Sequence, residues 1–428
     1  MKKFLYFYLI AILMMANDAL FNWLGAKVGV PFWRQLIWVI GLVILIKIAK
    51  DRKYKIPYIR KTYRQYSVMF GIVVVLAILT LLLEGFNIVR ILMSFFEYFF
   101  GIVFLVFPLV CAQSGWSRSK INKFFIIMGC FTSTGLLLDF STGGAITSFF
   151  KIVTMQSVDE YQFDYYGRFS FMSTTDSIFT LILCLSTICC FHEYTEKKNA
   201  LSKLVLLLLS AFIMFGSIFT GARQTLAALL IVEVFGLFYV LRGNKKGILL
   251  LGSMVVVLLL AMPSAQRILS KNEGFENRFN KTALQEDERS AVWQEGYRYC
   301  FVNTNLQRII IGDGVGYTLG TYAASNEAKM RLFESSFIAR IIDVGVPMAL
   351  ALLLMPVLYV TKYHRIRKVN TLYFSFLFAY IFISLISPNG LTNQSQMTLF
   401  IMLGLFYRDN DLELYDSKRS IVNKLENK

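Results

Sequence analysis

The 428-residue chain is 56% hydrophobic, 15% aromatic and only 17% charged, with a formal net charge of +17. A soluble domain carries about 25% charged residues; here apolar runs of about 17–25 residues, each long enough to cross a bilayer as a helix, recur along the whole length and exclude a soluble globular domain. Their unbroken apolarity excludes a β-barrel, whose strands alternate, and the confinement of Lys and Arg to alternate short loops is the positive-inside pattern of a membrane protein, not a nucleic-acid surface.

The pattern predicts an all-α polytopic membrane protein of twelve spans, near residues 4–21, 32–49, 67–83, 89–110, 123–140, 171–191, 204–219, 225–241, 247–262, 336–360, 371–387 and 395–407. Lipid offers the backbone no hydrogen bonds, so each run is expected to be helical. The start Met1-Lys2-Lys3 resembles a secretory leader, but the apolar run reaches Met15 without a small-residue cleavage site and reads as the first span. Lys50-Asp51-Arg52-Lys53-Tyr54-Lys55, continuing to Arg60, Lys61 and Arg64, is the strongest cytoplasmic marker. Alternating from it places Arg118/Lys120, Lys197/Lys198, Arg242/Lys245/Lys246 and Lys362/Arg365/Arg367/Lys368 on the same side, with both termini cytoplasmic. The expected organisation is spans one to nine over 1–262, a large external loop over 263–335, spans ten to twelve over 336–407 and a cytoplasmic tail over 408–428. No internal repeat is visible.

Five of the six cysteines, Cys111, Cys130, Cys184, Cys189 and Cys190, fall in or at the ends of spans, and only Cys300 lies in the large loop, so no disulfide or metal-ligand spacing exists. His192 and His364 both fall in basic loops, and no metal or cofactor is expected. Glu97 and Glu233 are the intramembrane carboxylates.

Chemistry is expected at the external ends of the spans. In the hairpin Thr220-Gly221-Ala222-Arg223-Gln224 the guanidinium of Arg223 suits phosphate oxygens, or equally snorkels to lipid headgroups. The stretch Glu288 to Arg298 reads as an amphipathic helix, with Val292, Trp293, Gly296, Tyr297, Cys300 and Phe301 at helical spacing and Arg289 near its start. Gly312-Asp313-Gly314-Val315-Gly316 lacks the ending and context of a phosphate loop and reads as a tight extended turn that allows close backbone approach. Glu334 stands where the loop re-enters the membrane: it either caps the following helix or, partly buried, acts as a proton acceptor. Arg340 and Asp343, three apart, are placed to pair. Asp139, Asp164 and Asp176, near the outer ends of spans five and six, are the alternative bases.

Taken in order, Gly221-Ala222-Arg223, Arg289 to Trp293, Gly312 to Gly316, Glu334-Ser335 and Gly345-Val346-Pro347 resemble the O-antigen polymerase/ligase family over roughly residues 200–360. The resemblance implies a metal-independent membrane glycosyltransferase of the GT-C type, acting on an undecaprenyl diphosphate-linked oligosaccharide donor and acceptor. Under it Arg223 and Arg289 hold the diphosphate; Glu334 is the candidate general base, and Arg298, Arg340, Arg90 and Trp293 are the candidate substrate-site residues. The ligase branch places a histidine where Glu334-Ser335 stands, so the polymerase branch is favoured. The expected setting is a bacterial cytoplasmic membrane, with membrane lipid and a chain-length regulator protein as partners. A ligase, and a flippase or secondary transporter, are the alternatives.

Overall fold

In the computed structural model of the protein the described residues are 1–30, 32–50, 57–84, 88–153, 169–173, 179–241, 289–302, 305–318, 335–366, 371–387 and 393–426. They form helices α1 (Lys2–Ala16), α2 (Asp18–Val28), α3 (Trp33–Lys50), α4 (Pro57–Glu84), α5 (Ile88–Phe99), a 3₁₀ segment (Phe100–Val106), α6 (Phe107–Gln113), α7 (Arg118–Ser141), α8 (Ala145–Val153), α9 (Thr180–Glu196), α10 (Ala200–Ile218) and α11 (Arg223–Leu241). After these come α12 (Arg289–Tyr297), a π-helical turn (Arg298–Val302), α13 (Leu306–Ile311), α14 (Ser336–Ile366), α15 (Thr371–Ile386) and α16 (Asn393–Glu426). No strand occurs among the described residues. Among the described residues six helical stretches are long and apolar enough to cross a membrane, in α4, α7, α10, α11 and α14 and along Ile91–Gln113 through α5, the 3₁₀ segment and α6, or seven if the bent pair α1–α2 counts as one span. The protein is a helical membrane protein.

Several boundaries differ from the sequence expectation. The run 4–21 is not one straight helix: α1 stops at Ala16, and α2 leaves it at 104°. Asn17 takes a non-helical conformation there, and its side-chain amide donates to the Leu13 carbonyl at 3.0 Å, closing the end of α1. Of the run 171–191, the described residues are irregular up to 173 and helical from Thr180. The run 89–110 is interrupted by the fully buried 3₁₀ segment, against which α16 packs. Helix α16 continues from span twelve through the expected tail as far as Glu426. Span nine, 247–262, lies outside the described residues.

Helix α14 breaks at Gly345 (φ +78, ψ +166), two residues before Pro347. Proline has no N–H to return to the Asp343 carbonyl and disfavours helical conformation at Val346. The freed carbonyl of Ile342 is taken by the Asp313 N–H at 2.6 Å. The glycine turn after α13 thus docks on the kink of α14.

Polar groups gather at the two ends of the bundle. At one end Arg118 pairs with Asp409 at 3.2 Å, Asn122 and Ser119 donate to Glu193, and Tyr373 donates to Asp409. At the other end lie the α10–α11 hairpin, the α1–α2 break and the start of α14. A chain of contacts joins these: Thr225 to Thr180 at 2.7 Å, Phe219 against Phe140, Phe140 against Phe169, Ser173 to Asp18 at 3.1 Å, and Gln394 to Asp18 at 3.2 Å.

Candidate functional site

The hairpin end is built on short-range logic first. Gly221 turns the chain with φ +62, and the Thr220 hydroxyl accepts from the Ala222 N–H at 3.1 Å, so α11 starts at Arg223. Arg223 is half-buried and has interaction partners of its own. A cation in the first turn of a helix sits at the positive end of the macrodipole, the position an anion favours.

Ser335 fills the N-cap of α14, its hydroxyl accepting from the Ile338 N–H at 3.4 Å. The first turn is tied to the end of α15 by the Ser336 N–H, which donates to the Ser387 carbonyl at 2.9 Å. The cap of this helix is therefore supplied by Ser335, and Glu334, immediately before it, lies outside the described residues. Arg289 and Arg90 fall on α12 and α5, with side chains outside the described set.

Inside this end two clusters of the same composition flank the glycine turn. In the inner one the Arg340 guanidinium lies 4.0 Å over the Tyr98 ring, 3.8 Å from Asp343 and 3.5 Å from Glu97. Asp343, fully buried, also accepts from the Tyr98 hydroxyl at 2.5 Å and from the Thr318 N–H and hydroxyl at 2.8 and 2.9 Å. A cavity of about 20 Å³, room for one water, opens beside Arg340 and is lined by Tyr66, Tyr380 and Gln396. Two carboxylates thus meet the charge of Arg340, which points into the bundle; Arg340 and Asp343 pair as their spacing suggests.

The outer cluster joins Arg308 to Asp313 at 2.5 Å, with the guanidinium 4.4 Å over the Tyr299 ring and the Tyr299 hydroxyl donating to Asp313 at 2.9 Å. Burial, with the neighbouring Tyr317 hydroxyl and Asp313 carboxylate, holds the Tyr299 phenol well above its ordinary range. Burial also pushes the Cys300 thiol up to about 12.

The predicted amphipathic helix is present but its stripe is not continuous. The π turn shifts the register at Arg298, so Gly296 and Cys300 face inward while Tyr297 and Phe301 are exposed and lie against each other at 5.0 Å. Trp293, Gln294, Tyr297, Arg298 and Val302 line an open groove of about 560 Å³, in which the buried Trp293 Nε1 has no hydrogen-bond partner. Of the predicted site residues, the structure brings Trp293 and Arg298 together and places Arg340 apart from them.

Asp139, an alternative base in the sequence reading, is buried and accepts from the Ile146, Thr147 and Phe171 N–H groups, each at 3.1 Å, and from the Thr147 hydroxyl. It anchors 169–171 to α8. Asp164 and Asp176 lie outside the described residues. Sequence reasoning missed Asp18, whose carboxylate takes Arg34 at 2.7 Å and fastens α3, Ser173 and Gln394 to the α1–α2 break. The visible signal was an aspartate and an arginine each at the edge of an apolar run. Gln396 was missed too, although Asn393-Gln394-Ser395-Gln396 is an unusually polar start for a span; its side chain meets the Glu97 carbonyl and the Gly101 N–H. Among the described residues no three His, Cys, Asp or Glu side chains come together as a metal would require.

No protein-family model matches the chain, and no curated protein matches it in sequence.

Proposed function

We propose that this chain is a polysaccharide repeat-unit polymerase of the bacterial cytoplasmic membrane, in the O-antigen polymerase/ligase family and with a GT-C-like arrangement of about twelve spans. The acceptor hydroxyl of one lipid-linked repeat unit attacks the anomeric carbon of a glycan carried on undecaprenyl diphosphate. The bond from that carbon to the diphosphate breaks, the diphosphate leaves with the electron pair, and the hydroxyl proton passes to a base, for which Glu334 is the candidate. Negative charge gathers on the leaving group, and preorganised guanidinium groups aimed at it are the kind of contribution that dominates such catalysis. Arg223 and Arg289 are assigned that role, with Trp293 and Arg298 in the adjoining groove.

The observation that carries the reading is the Arg223 hairpin at the same end of the bundle as the glycine turn docked on α14, with an arginine at the positive end of a helix. The test is a purified assay with synthetic lipid-linked repeat units. Arg223→Ala is expected to abolish polymer while the protein stays folded, and Arg223→Lys to rescue poorly, because an ammonium lacks the bidentate fork. Glu334→Gln is expected to lose about 10²–10⁴-fold in turnover. Near-normal polymer from Arg223→Ala would leave a snorkelling arginine and remove the diphosphate role.

A second reading, a proton-coupled flippase or transporter, draws on Glu233. This carboxyl is 4% exposed in the middle of α11, and its Oε1 has no hydrogen-bond partner. Ionisable groups at that depth often belong to proton pathways. Unimpaired polymer synthesis by Glu233→Gln would set this reading aside.

A further inference from the structure

We propose that the segments 297–302 and 305–318 form a re-entrant element seated in the acyl region of the membrane leaflet at the hairpin end of the bundle, with lipid chains as its partner. The inference stands on packing and does not rest on the polymerase reading. The first support is depth. The start of α14 is level with the end of α15, through the Ser336–Ser387 hydrogen bond. Gly345 lies nine residues further in, about 13 Å at 1.5 Å per residue, and half of a bilayer's hydrocarbon is roughly 15 Å. Yet the Ile310 carbonyl rests directly against Gly345, and a Cβ on Gly312 would meet the Ile342 carbonyl at 2.6 Å. Val315 in turn donates to the Thr80 hydroxyl, one turn inside the end of α4, where Leu79 and Leu82 are exposed. The loop therefore descends alongside spanning helices.

The second support is how the backbone is satisfied. Irregular backbone survives at membrane depth only where protein supplies its hydrogen bonds. The N–H groups of Gly312, Asp313, Val315, Tyr317 and Thr318 each find an acceptor, in Arg308, Ile342, Thr80, Gly314 and Asp343 respectively. Gly312, Gly314, Val315 and Gly316 are all buried.

The third support is the face turned outward. Tyr297, Phe301, Val302, Leu306 and Ile310 are exposed, Leu306 at 71% and Ile310 at 50%. Exposed apolar side chains grouped in this way mark a membrane or protein contact, and the exposed Arg298, Asn305 and Gln307 of the same segment are long or short polar side chains among them. Its attachment to α4, itself apolar and exposed at that level, favours lipid over a second protein.

The experiment uses the full chain in lipid nanodiscs, with Cys130→Ser and single spin labels at Val302, Leu306 and Ile310. The six native cysteines are buried or half-buried, so background labelling is low. Labels at Glu295, an exposed polar position outside the segment, and at Leu82 serve as references. Power saturation with oxygen and with a water-soluble nickel chelate is read at each site. Labels at 302, 306 and 310 are expected to match Leu82, accessible to oxygen and shielded from the chelate, with Glu295 the reverse. Chelate access equal to that at Glu295 would overturn the embedding. Shielding from both reagents would also overturn it, showing that protein covers this face. Either failure leaves the assay of Arg223 untouched.

Discussion

Gly345→Ala strikes the contact on which the hairpin end is organised. At φ +78 and ψ +166 the backbone occupies a region essentially reserved for glycine, where another residue costs about 1–3 kcal/mol. A new Cβ would also collide with the Ile310 carbonyl, with the Ile310 carbon and the Ile311 nitrogen close behind at 2.5 and 2.8 Å. These are backbone atoms and cannot rotate away, so overpacking adds about 1–3 kcal/mol. The helix relieves both by letting α13 and the glycine turn separate from it. A loss of about 2–6 kcal/mol in local closure corresponds to at least a roughly thirtyfold rise in the opening constant, at 1.4 kcal/mol per tenfold. Hydrogen exchange with mass spectrometry in nanodiscs reads this directly: amides of 309–318 are expected to exchange at least about thirtyfold faster. The amides of α7 should not change. Gly71→Ala is the control, because a Cβ there meets nothing within 4 Å. Unchanged protection of 309–318 in Gly345→Ala would refute the docking of the glycine turn on the kink.

Asp343→Ala leaves Tyr98 and Thr318 without their acceptor and Arg340 with Glu97 alone. It is expected to cost about 3–5 kcal/mol, whereas Asp343→Asn keeps one acceptor and should lose clearly less. Equal thermal unfolding temperatures for the two in detergent would contradict the cluster. Asp139→Ala is expected to speed exchange at 145–148 and 169–173 while turnover per folded molecule is kept; loss of turnover without loss of structure would return Asp139 to the list of bases. Cys300, buried and with its thiol pushed up to about 12, should resist iodoacetamide at pH 8 until the protein is denatured, because the thiolate is the nucleophile. Rapid alkylation of the native protein would show that the π turn is open.

The membrane class and the helical content were legible from the residues, because apolar length and charge placement are local quantities and lipid forces such runs into helices. So was the close approach of the glycine turn: Gly312-Asp313-Gly314-Val315-Gly316 announces backbone that must lie against something. What it lies against was not legible. Gly345-Val346-Pro347 marks a kink in its own helix, but only packing carries the freed Ile342 carbonyl to Asp313.

The break at Asn17, the 3₁₀ segment through Phe100–Val106 and the π turn at Arg298 escaped for a similar reason. Each lies in a stretch whose periodicity would equally suit a straight helix, and neighbours decide it. The pairing of Arg340 was half visible. Asp343 is three residues away and could be inferred from helix geometry, but Glu97 and Tyr98 are distant by more than 240 residues. A charge reads the same in sequence whether it faces a carboxylate or open solvent. Only the tertiary structure sets two carboxylates against Arg340 and puts Arg223 at a helix start, because the desolvation of a guanidinium is decided by what packs around it.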